Sequence, residues 1–265
     1  MHCFVCNGEL KPFFKKEFNG QCELTCVEYV RCESCHLALS KTHFEMSDPA
    51  WQTLNLTYHE QYQGKDSFED DPRWMSRLQA QSETISRLAK ADVLRQSLPW
   101  VDYACGDGKL ADMLAQSDIE VSKFERFMPP HGSGYVTAEE MLKEYDLVIN
   151  TSVFEHLRDL ETLDEIAGLV GENGALALHV MVKEEIPADP TWSYLLPVHC
   201  VFYSNRSMQV LFDRWNFESC IYHVPSRMWF MFRKDHPRLR EFVEKEASTG
   251  SEDFHFKEAF VDYWK

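Results

Sequence analysis

Two short cysteine pairs stand near the start of this 265-residue chain. Cys3 and Cys6 are separated by two residues, and Cys32 and Cys35 repeat that spacing. A Cys-x-x-Cys turn directs two thiolates at one ion, and two such turns complete the tetrahedral coordination that Zn²⁺ takes in structural sites. The spacing therefore predicts a structural zinc ion held by these four residues. Four thiolates leave no open position for a catalytic water.

The neighbouring residues leave the exact ligand set open. Cys22 and Cys26 lie between the two pairs, and His36 follows the last cysteine directly. Any of these three could replace one of the four ligands, and the alternative to zinc is a lobe with six free, buried thiols. Residues 1–46 are too few to bury a core of their own, so the segment needs a staple such as a metal ion.

A glycine-rich stretch in the middle of the chain is the second place where residue types indicate chemistry. Residues 101–111 leave an apolar run, turn through Gly106 and Gly108, and enter an amphipathic stretch. Glycines allow backbone N–H groups to approach a ligand that a Cβ atom would hold away. In open α/β sheets, ligands bind at such a turn between a strand and a helix. We therefore interpret this stretch as a cofactor-binding turn.

Two classes of cofactor compete for this turn. The spacing of Gly106 and Gly108 matches the dinucleotide fingerprint, and Glu125 stands about where a ribose-binding acid belongs. However, Asp102 and Asp107 would place negative charge beside a pyrophosphate. A ligand with a sulfonium and an ammonium group suits these carboxylates better, and Glu125 can still accept hydrogen bonds from both ribose hydroxyls. The charges therefore favour S-adenosylmethionine over NAD.

The apolar pattern around this turn alternates between two kinds of element. Short apolar runs predict strands at 100–104, 121–125, 145–149, 175–182, 218–224 and 228–233. Amphipathic stretches predict helices at 109–116, 160–170 and 205–215. Strands that alternate with helices imply a mostly parallel sheet covered on both faces, and the last two runs are close enough to pair antiparallel.

The flanking segments are assigned to smaller units. Residues 48–64 are interpreted as a linker with one short helix, and a longer helix is expected to open at Pro72, since proline is favoured at the first helical position. A charged helix is expected near 237–245. The predicted domains are a zinc-ribbon lobe (1–46), a helical linker (47–98), a catalytic domain (99–234) and a helical tail (235–265).

These motifs together resemble class I, seven-strand, Rossmann-like methyltransferases that use S-adenosylmethionine. Residues 102–108 (DYACGDG) resemble the family's first motif, in which an acidic residue precedes a glycine-rich turn. Residues 146–150 (DLVIN) and 153–157 (VFEHL) resemble the fourth-strand motif and its continuation, and 171–176 (GENGAL) the turn and strand that follow. The resemblance covers about 100–233 and implies a doubly wound α/β domain with a seven-stranded, mostly parallel sheet and helices on both faces.

The N-terminal lobe carries a resemblance of its own. Cys32-x-x-Cys35 followed by Tyr58 and Tyr62 resembles a zinc-binding lobe that precedes this domain in some bacterial members. Many such members are assigned to the methylation of sugars, polysaccharides or secondary metabolites. The resemblance therefore implies an acceptor of that kind.

The family resemblance implies a set of cofactor-binding residues, namely Asp102, Ala104, Gly106, Gly108, Glu125 and Asn150. Two positions depart from the family pattern. Ala104 stands where the family usually has glycine, and because a Cβ at positive φ costs about 1 kcal/mol we expect an ordinary β conformation there. Ser152 stands where some quinol-type relatives carry a glutamate that helps the following Glu-His pair to hold magnesium. A magnesium site and a quinol acceptor are therefore disfavoured.

Two histidines are candidates for the base of the reaction. Methyl transfer from a sulfonium is an in-line displacement, assisted by a base beside an acceptor hydroxyl. Histidine is the usual base near neutral pH. His156 follows the fourth predicted strand, and His199 lies in an insert after the fifth. Alternatively, His156 orients a helix start, whereas His179, inside the fifth strand, is interpreted as a core histidine.

The insert itself is rich in proline and aromatic residues over 187–199. Such inserts form walls over an acceptor, and aromatic faces suit sugars or planar ligands. Trp192 and Tyr194, together with Glu155, are therefore candidate substrate-binding residues. Alternatively the insert is a buried connector and Glu155 a carboxylate at a helix start. Ser204 is expected to cap the helix that follows.

The composition sets the broad class of the protein. A net charge of -16 repels phosphate backbones and disfavours nucleic-acid partners. No stretch approaches the roughly 18 apolar residues that a membrane helix needs, so we expect no membrane insertion. The start of the chain lacks the pattern of a secretory signal, and nine cysteines without one indicate metal binding or free thiols in a reducing cytoplasm.

The sequence therefore predicts a cytoplasmic methyltransferase that uses S-adenosylmethionine and contains a structural zinc ion. Its expected acceptor is a hydroxyl of a sugar, nucleotide-sugar or glycan in a bacterial biosynthetic pathway, which rests on the resemblance and the aromatic insert. A rival hypothesis is methylation of a quinol or natural-product scaffold at oxygen, carbon or nitrogen. Another is a non-catalytic methyltransferase-like module that binds a protein partner.

Overall fold

A computed structural model describes residues 1–19, 22, 24–63 and 72–263, without the side chains of 59–63 and 72–73. Tyr62, part of the sequence resemblance, has its side chain outside the described residues. The strands are β1 (Leu10–Glu17), β2 (Cys26–Cys32), β3 (Ala38–Ser40), β4 (Trp100–Tyr103), β5 (Ser122–Phe124), β6 (Tyr145–Thr151), β7 (Val170–His179), β8 (Val182–Lys183), β9 (Val201–Ser204), β10 (Ser219–His223), β11 (Met228–Phe232) and β12 (Phe254–Lys257). The helices are α1 (Lys41–Phe44), α2 (Asp48–Gln63), α3 (Pro72–Lys90), α4 (Lys109–Ala115), α5 (Leu160–Gly168), α6 (Asn205–Arg214) and α7 (Pro237–Ser248). None of these helices combines the length and apolarity needed to cross a membrane.

The central sheet has seven strands in the order β12-β10-β11-β7-β6-β4-β5. Strands β5, β4, β6 and β7 run parallel to one another. Strands β11, β10 and β12 complete the sheet with antiparallel pairings. The predicted seven-stranded α/β fold is therefore confirmed, including the antiparallel pairing of the last two predicted strands. The carboxyl ends of the parallel strands meet at one edge, where such sheets bind ligands.

Helices cover both faces of this sheet. Buried side chains of α3, α4 and α7, such as Ile85, Leu114 and Leu239, form the core on one face. Helices α5 and α6 supply Leu163 and Leu211 to the core on the other face. Apolar side chains are removed from water on both faces of the sheet, and this burial holds the sheet between two layers of helices, as the alternating sequence pattern predicts.

The C-terminal segment, which the sequence predicts to be helical, contains α7 and then a strand. Strand β12 pairs antiparallel with β10, with His255 opposite Tyr222. The seventh strand thus comes from outside the stretch that resembles the family. Between β5 and β6, the described chain adds only an isolated parallel bridge from Lys123 to Tyr135.

The cysteine lobe is part of a second sheet that it does not complete alone. This sheet has the order β1-β2-β3-β9-β8, so its last two strands come from the chain that follows β7. Leu39 of β3 lies opposite Val201 of β9. The insert packs on the same layer, because Leu195 and Val198 share a buried cluster with Tyr29 of β2. A lobe too short to bury its own core therefore shares its sheet with strands from the chain that follows β7.

Two predicted elements have different bounds in the structure. The linker at 48–64 is almost entirely helix α2, whose Leu54 packs in the cluster beneath the lobe. Strand β7 begins at Val170 rather than at 175, and its register against β6 shifts near Tyr145. A Cβ at Gly174 would lie 2.7 Å from the Tyr145 carbonyl oxygen, so glycine is required at this irregularity. Such local irregularities leave no trace in apolar periodicity.

Candidate functional site

The glycine-rich turn joins β4 to α4 at the carboxyl edge of the parallel strands. Gly106 and Gly108 have φ angles of +58° and +72°, which side chains other than glycine rarely tolerate. Ala104 also has a positive φ, +59°, so the expectation of an ordinary β conformation there is wrong. The chain must leave the strand directly after Tyr103, and this abrupt turn places Ala104 in the left-handed region at a cost of about 1–2 kcal/mol.

The turn is held open on the side of Gly106. A Cβ added at Gly106 would meet no atom within 4 Å, whereas one at Gly108 would lie 2.6 Å from the Lys123 side chain. The Gly106 amide donates to Glu125 Oε2 at 3.0 Å, and the Tyr135 hydroxyl donates to the Gly106 carbonyl at 2.8 Å. The backbone is thus fixed by hydrogen bonds while the space in front of Gly106 remains available to a ligand.

Asp102 lies buried beneath this turn. Its side chain is 2% exposed, and its Oδ1 atom has no hydrogen-bond partner among the described residues. Burial, reinforced by the charges of Glu125 and Asp107, raises the pKa of Asp102 to about 8. Burial of a carboxylate oxygen without a hydrogen-bond donor costs free energy. A positively charged ligand would provide the missing partner for Asp102 Oδ1. The site therefore fits the cationic cofactor that the sequence predicts.

Glu125 and Asn150, the two remaining candidate cofactor-binding residues, also form hydrogen bonds within the protein. Glu125 Oε1 accepts hydrogen bonds from the amides of Phe127 at 2.8 Å and Met128 at 3.3 Å. Asn150 is fully buried at the end of β6, and its Nδ2 donates to the Tyr103 carbonyl at 3.0 Å. Glu125 thus anchors the chain after β5, and Asn150 fastens the carboxyl ends of β6 and β4 together.

A second polar group lies where the chain leaves β6. Glu155 and His156 belong to a short 3-10 helix (Phe154–His156), whereas Tyr194 and His199 belong to the insert. The Tyr194 hydroxyl donates to Glu155 Oε1 at 2.8 Å. The rings of His156 and His199 meet edge to face with centroids 5.0 Å apart. We call Glu155, His156, Tyr194 and His199 the acceptor-side group.

The hydrogen bonds of this group fix the state of one imidazole. His199 Nδ1 lies 2.8 Å from the Tyr194 carbonyl oxygen, which can only accept. Nδ1 therefore carries the proton, and in the neutral ring Nε2 offers a lone pair. Glu155 is 2% exposed, and its Oε2 atom has no hydrogen-bond partner among the described residues. Burial raises the pKa of Glu155 to about 7.

Of the predicted substrate residues, Trp192 is not part of the acceptor-side group. Its ring packs 5.5 Å from that of Tyr194 and 5.4 Å from that of Phe202. It belongs to the buried cluster between the insert and the lobe, where it remains partly exposed. The structure therefore brings together Glu155 and Tyr194, whereas Trp192 packs in the cluster between the insert and the lobe.

One charged residue near this group was missed by sequence reasoning. Arg77 projects from α3, and its positive charge opposes the effect of burial on the pKa values of Glu155 and Tyr194. Burial, together with the same charge, lowers the pKa of His179 to about 3, and His179 Nδ1 donates to the Arg227 carbonyl at 3.0 Å. A polar position on an amphipathic helix carries no signal of its own, so Arg77 could not be singled out.

The four cysteines of the two N-terminal pairs converge. The Sγ atoms of Cys3 and Cys35 are 3.6 Å apart and those of Cys6 and Cys32 are 3.5 Å apart. Four thiolates about 2.3 Å from one zinc ion would be spaced by about 3.8 Å, so the arrangement fits a tetrahedral zinc site. Among the described residues, the spare candidates Cys22, Cys26 and His36 are not in this cluster.

Comparison with known proteins identifies the family. Residues 73–221, more than half of the chain, match the sequence profile of a family described as a methyltransferase domain. The chain therefore belongs to the methyltransferase domain family, as a class I enzyme that uses S-adenosylmethionine. A search of curated proteins finds no match.

Several solved structures are similar to this chain, at low sequence identity and low TM-score. Magnesium protoporphyrin IX methyltransferase from Synechocystis PCC 6803 has a TM-score of 0.45 at 15% identity, over 64% of this chain and 89% of that chain. A possible histamine N-methyltransferase from Thermotoga maritima scores 0.37 at 15% identity, over 63% and 95%. A SAM-dependent methyltransferase from Archaeoglobus fulgidus scores 0.38 at 17%, over 54% and 72%. At these scores the family assignment rests on the sequence profile.

Proposed function

We propose that this protein transfers a methyl group from S-adenosylmethionine to a hydroxyl of a sugar, nucleotide-sugar or glycan. The observation that carries the proposal is the acceptor-side group, in which Glu155 and His199 are oriented by one residue, Tyr194. A hydroxyl must lose a proton to accept a methyl group, and this group concentrates proton acceptors at the carboxyl edge of the sheet. The aromatic insert and the family resemblance support the sugar class.

The proposal gives the residues of the glycine-rich turn a common task. S-adenosylmethionine supplies a methyl group on a positively charged sulfur. Asp107, and Asp102 once it ionises beside the bound cation, provide the negative charge that holds its ammonium and sulfonium groups, and Glu125 accepts the ribose hydroxyls. Gly106 allows the backbone to approach the ligand without a Cβ in the way. Asn150 keeps the ends of β4 and β6 in register so that both ligands meet in one orientation.

The step on the acceptor side is a balanced displacement. The acceptor oxygen forms an O–C bond while the C–S bond breaks, and S-adenosylhomocysteine leaves with the electron pair. The hydroxyl proton leaves through the acceptor-side group, in which His199 and His156 are the candidate bases. Proton removal by a positioned group contributes about 10²–10⁴-fold to such reactions.

We also infer that Cys3, Cys6, Cys32 and Cys35 hold a structural zinc ion and that the protein works in a reducing cytoplasm. The spacing of the four Sγ atoms supports the zinc ion. All nine cysteines are free of disulfides, which suits a reducing compartment. The zinc ion would hold the lobe together and take no part in the chemistry.

Calorimetry tests the cofactor half of the proposal. S-adenosylhomocysteine is titrated into the purified protein, with NAD as the parallel ligand. We expect micromolar binding of the former, none of the latter, and loss of binding in Gly106→Arg, whose side chain fills the open space before the turn. A folded, zinc-loaded protein that binds neither ligand would refute the enzyme proposal.

An acceptor screen tests the other half. Candidate sugars, nucleotide-sugars, glycans, quinols and natural-product scaffolds are incubated with S-adenosylmethionine, and methylated products are located by mass spectrometry. The expected product carries the methyl on oxygen of a sugar. Gly106→Arg protein is the control for background methylation. Methyl transfer to carbon or nitrogen, or to quinols alone, would overturn the proposed acceptor and leave the cofactor assignment standing.

A further inference from the structure

We propose that Glu155, His156 and His199 bind one divalent transition-metal ion, distinct from the zinc ion of the cysteine cluster. One carboxylate oxygen and two imidazole nitrogens of these residues all lie within 4.8 Å of one another. Donors about 2.1 Å from one ion lie about 3.0–3.5 Å from each other, so shifts of about 1 Å per side chain complete the coordination.

The carboxylate provides an independent indication of a cation. Glu155 is 2% exposed, and Tyr194 satisfies its Oε1 atom. Its Oε2 atom is buried and has no hydrogen-bond donor among the described residues. Protein interiors seldom leave a carboxylate oxygen in this state unless a cation or a donor from a ligand completes it.

Tyr194 orients two of the three ligands. Its carbonyl oxygen accepts from His199 Nδ1 at 2.8 Å, so Nε2 is the nitrogen through which this ring would bind an ion. Its hydroxyl donates to Glu155 Oε1 at 2.8 Å. Histidines that ligate metals almost always donate their other N–H to a carbonyl or carboxylate, and ligating carboxylates are themselves hydrogen-bonded. The acceptor-side group has both features.

The donor set indicates the class of metal. Two imidazoles and one carboxylate suit Fe²⁺, Zn²⁺, Co²⁺ or Ni²⁺, whereas Mg²⁺ prefers oxygen donors alone. Ser152, three residues before Glu155, adds no carboxylate that would change this preference for a transition metal. Three protein ligands leave open positions, in contrast to the closed set of four cysteines.

The open coordination positions of the ion offer a route by which the acceptor hydroxyl would lose its proton. This step rests on the proposed methyl transfer to a hydroxyl. An ion held by these residues would lower the pKa of an acceptor hydroxyl, whose proton would pass to water. The acceptor oxygen would form the O–C bond as the C–S bond breaks, with no change of oxidation state. His156 and His199 would then position the acceptor oxygen as metal ligands and would not serve as the bases.

Cobalt is the probe for the site. Purified protein that retains its cysteine-bound zinc is incubated with Co²⁺, desalted, and analysed for both metals. We expect about one zinc and about one cobalt per chain, with cobalt absorption that lacks a thiolate charge-transfer band. In Glu155→Gln and His199→Asn the cobalt is lost while the zinc remains. His179 lies in β7 outside the acceptor-side group, and the control variant His179→Asn should retain both metals.

Two results would overturn the site. The first is wild-type protein that binds no cobalt, and the second is variants that retain it as well as the wild type does. S-adenosylhomocysteine titration of each variant shows that it is folded and tests the cofactor assignment separately. If cobalt binds but its removal by a mild chelator leaves sugar methylation unchanged, the metal ion has no role in deprotonating the acceptor hydroxyl.

Discussion

The glycine-rich turn and the acceptor-side group lie at the same edge of the central sheet but are built in different ways. The turn is one continuous stretch from β4 to α4, and its partners Glu125 and Tyr135 follow closely in the chain. The acceptor-side group joins the 3-10 helix after β6 to an insert that begins only after β8. The residues proposed to bind the cofactor thus form a local motif, whereas those proposed to bind the acceptor are brought together only by the fold.

The two regions also differ in what supports them. The insert and β9 both pack against the cysteine lobe. His43 Nε2 donates to the Pro197 carbonyl of the insert at 2.9 Å, and Ser204 Oγ of β9 donates to the Cys35 carbonyl at 2.5 Å. The turn rests on the central sheet. Damage to the lobe should therefore reach the acceptor-side group and spare the turn, and each of the following experiments tests part of that contrast.

The largest effect is expected from Cys35→Ser. Loss of the fourth thiolate should release the zinc ion and lower Tm by at least about 10 °C, since structural zinc contributes directly to folding. Turnover should be lost while S-adenosylhomocysteine affinity stays within about threefold. Cys26→Ser, outside the cluster, is the matched control and should behave as wild type. Equal losses in both variants would contradict the zinc assignment.

His199→Asn should lower turnover by about 100-fold with cofactor affinity within about threefold, because the role proposed for this residue concerns the acceptor oxygen alone. His179→Asn serves as the comparison, since its ring is bound to the Arg227 carbonyl. Steady-state rates and calorimetry together give the answer. If the two variants lose turnover and affinity in parallel, His199 has a structural role.

Asp102→Asn should weaken S-adenosylmethionine binding about tenfold at pH 8.5, the loss of one charge-assisted contact. The pKa of Asp102, raised to about 8 by burial, also predicts a pH effect on stability. Between pH 4 and 8 the folded protein holds a proton that the unfolded chain has released, so unfolding free energy falls as pH rises. The variant should show a smaller decline, because the raised pKa of Glu155, about 7, contributes a decline of its own below pH 7.

Denaturant unfolding at pH 5 and pH 8 checks the effect on stability. Asp146→Asn is the control, because Asp146 is a buried carboxylate at the start of β6 that accepts from the Leu98 amide at 2.7 Å. Its substitution should leave cofactor affinity unchanged. A decline as steep in Asp102→Asn as in the wild type would show that Asp102 does not contribute to it.

The smallest effect is expected at Ala104. Glycine there removes the cost of a Cβ at positive φ but adds chain entropy, so unfolding free energy should change by less than about 1 kcal/mol. Valine, being β-branched, should destabilise by about 2 kcal/mol. Urea denaturation measures both. A valine variant as stable as glycine would argue against the left-handed conformation at this position.

The sequence predicts most of the central sheet because its elements carry local signals. The runs at 100–104 and 145–149 are β4 and β6, and Ser204 caps α6 as expected. Strand β9 was missed because its partner β3 is distant in sequence, and no local period encodes such a pairing. The same holds for the contact of Tyr194 with Glu155, which depends on where the insert folds back. The roles of the individual site residues stay predictions.

The shared five-stranded sheet has a consequence for how the protein is made. During synthesis, Leu39 leaves the ribosome long before its partner Val201 exists, so the nascent lobe waits with one strand edge unpaired. Early capture of zinc would keep this segment compact until β9 is synthesised. A truncated protein that begins at residue 47 would expose β9 as a bare edge prone to self-association. The lobe is therefore not a module that can be exchanged between relatives without β9 and β8, the strands that complete its sheet.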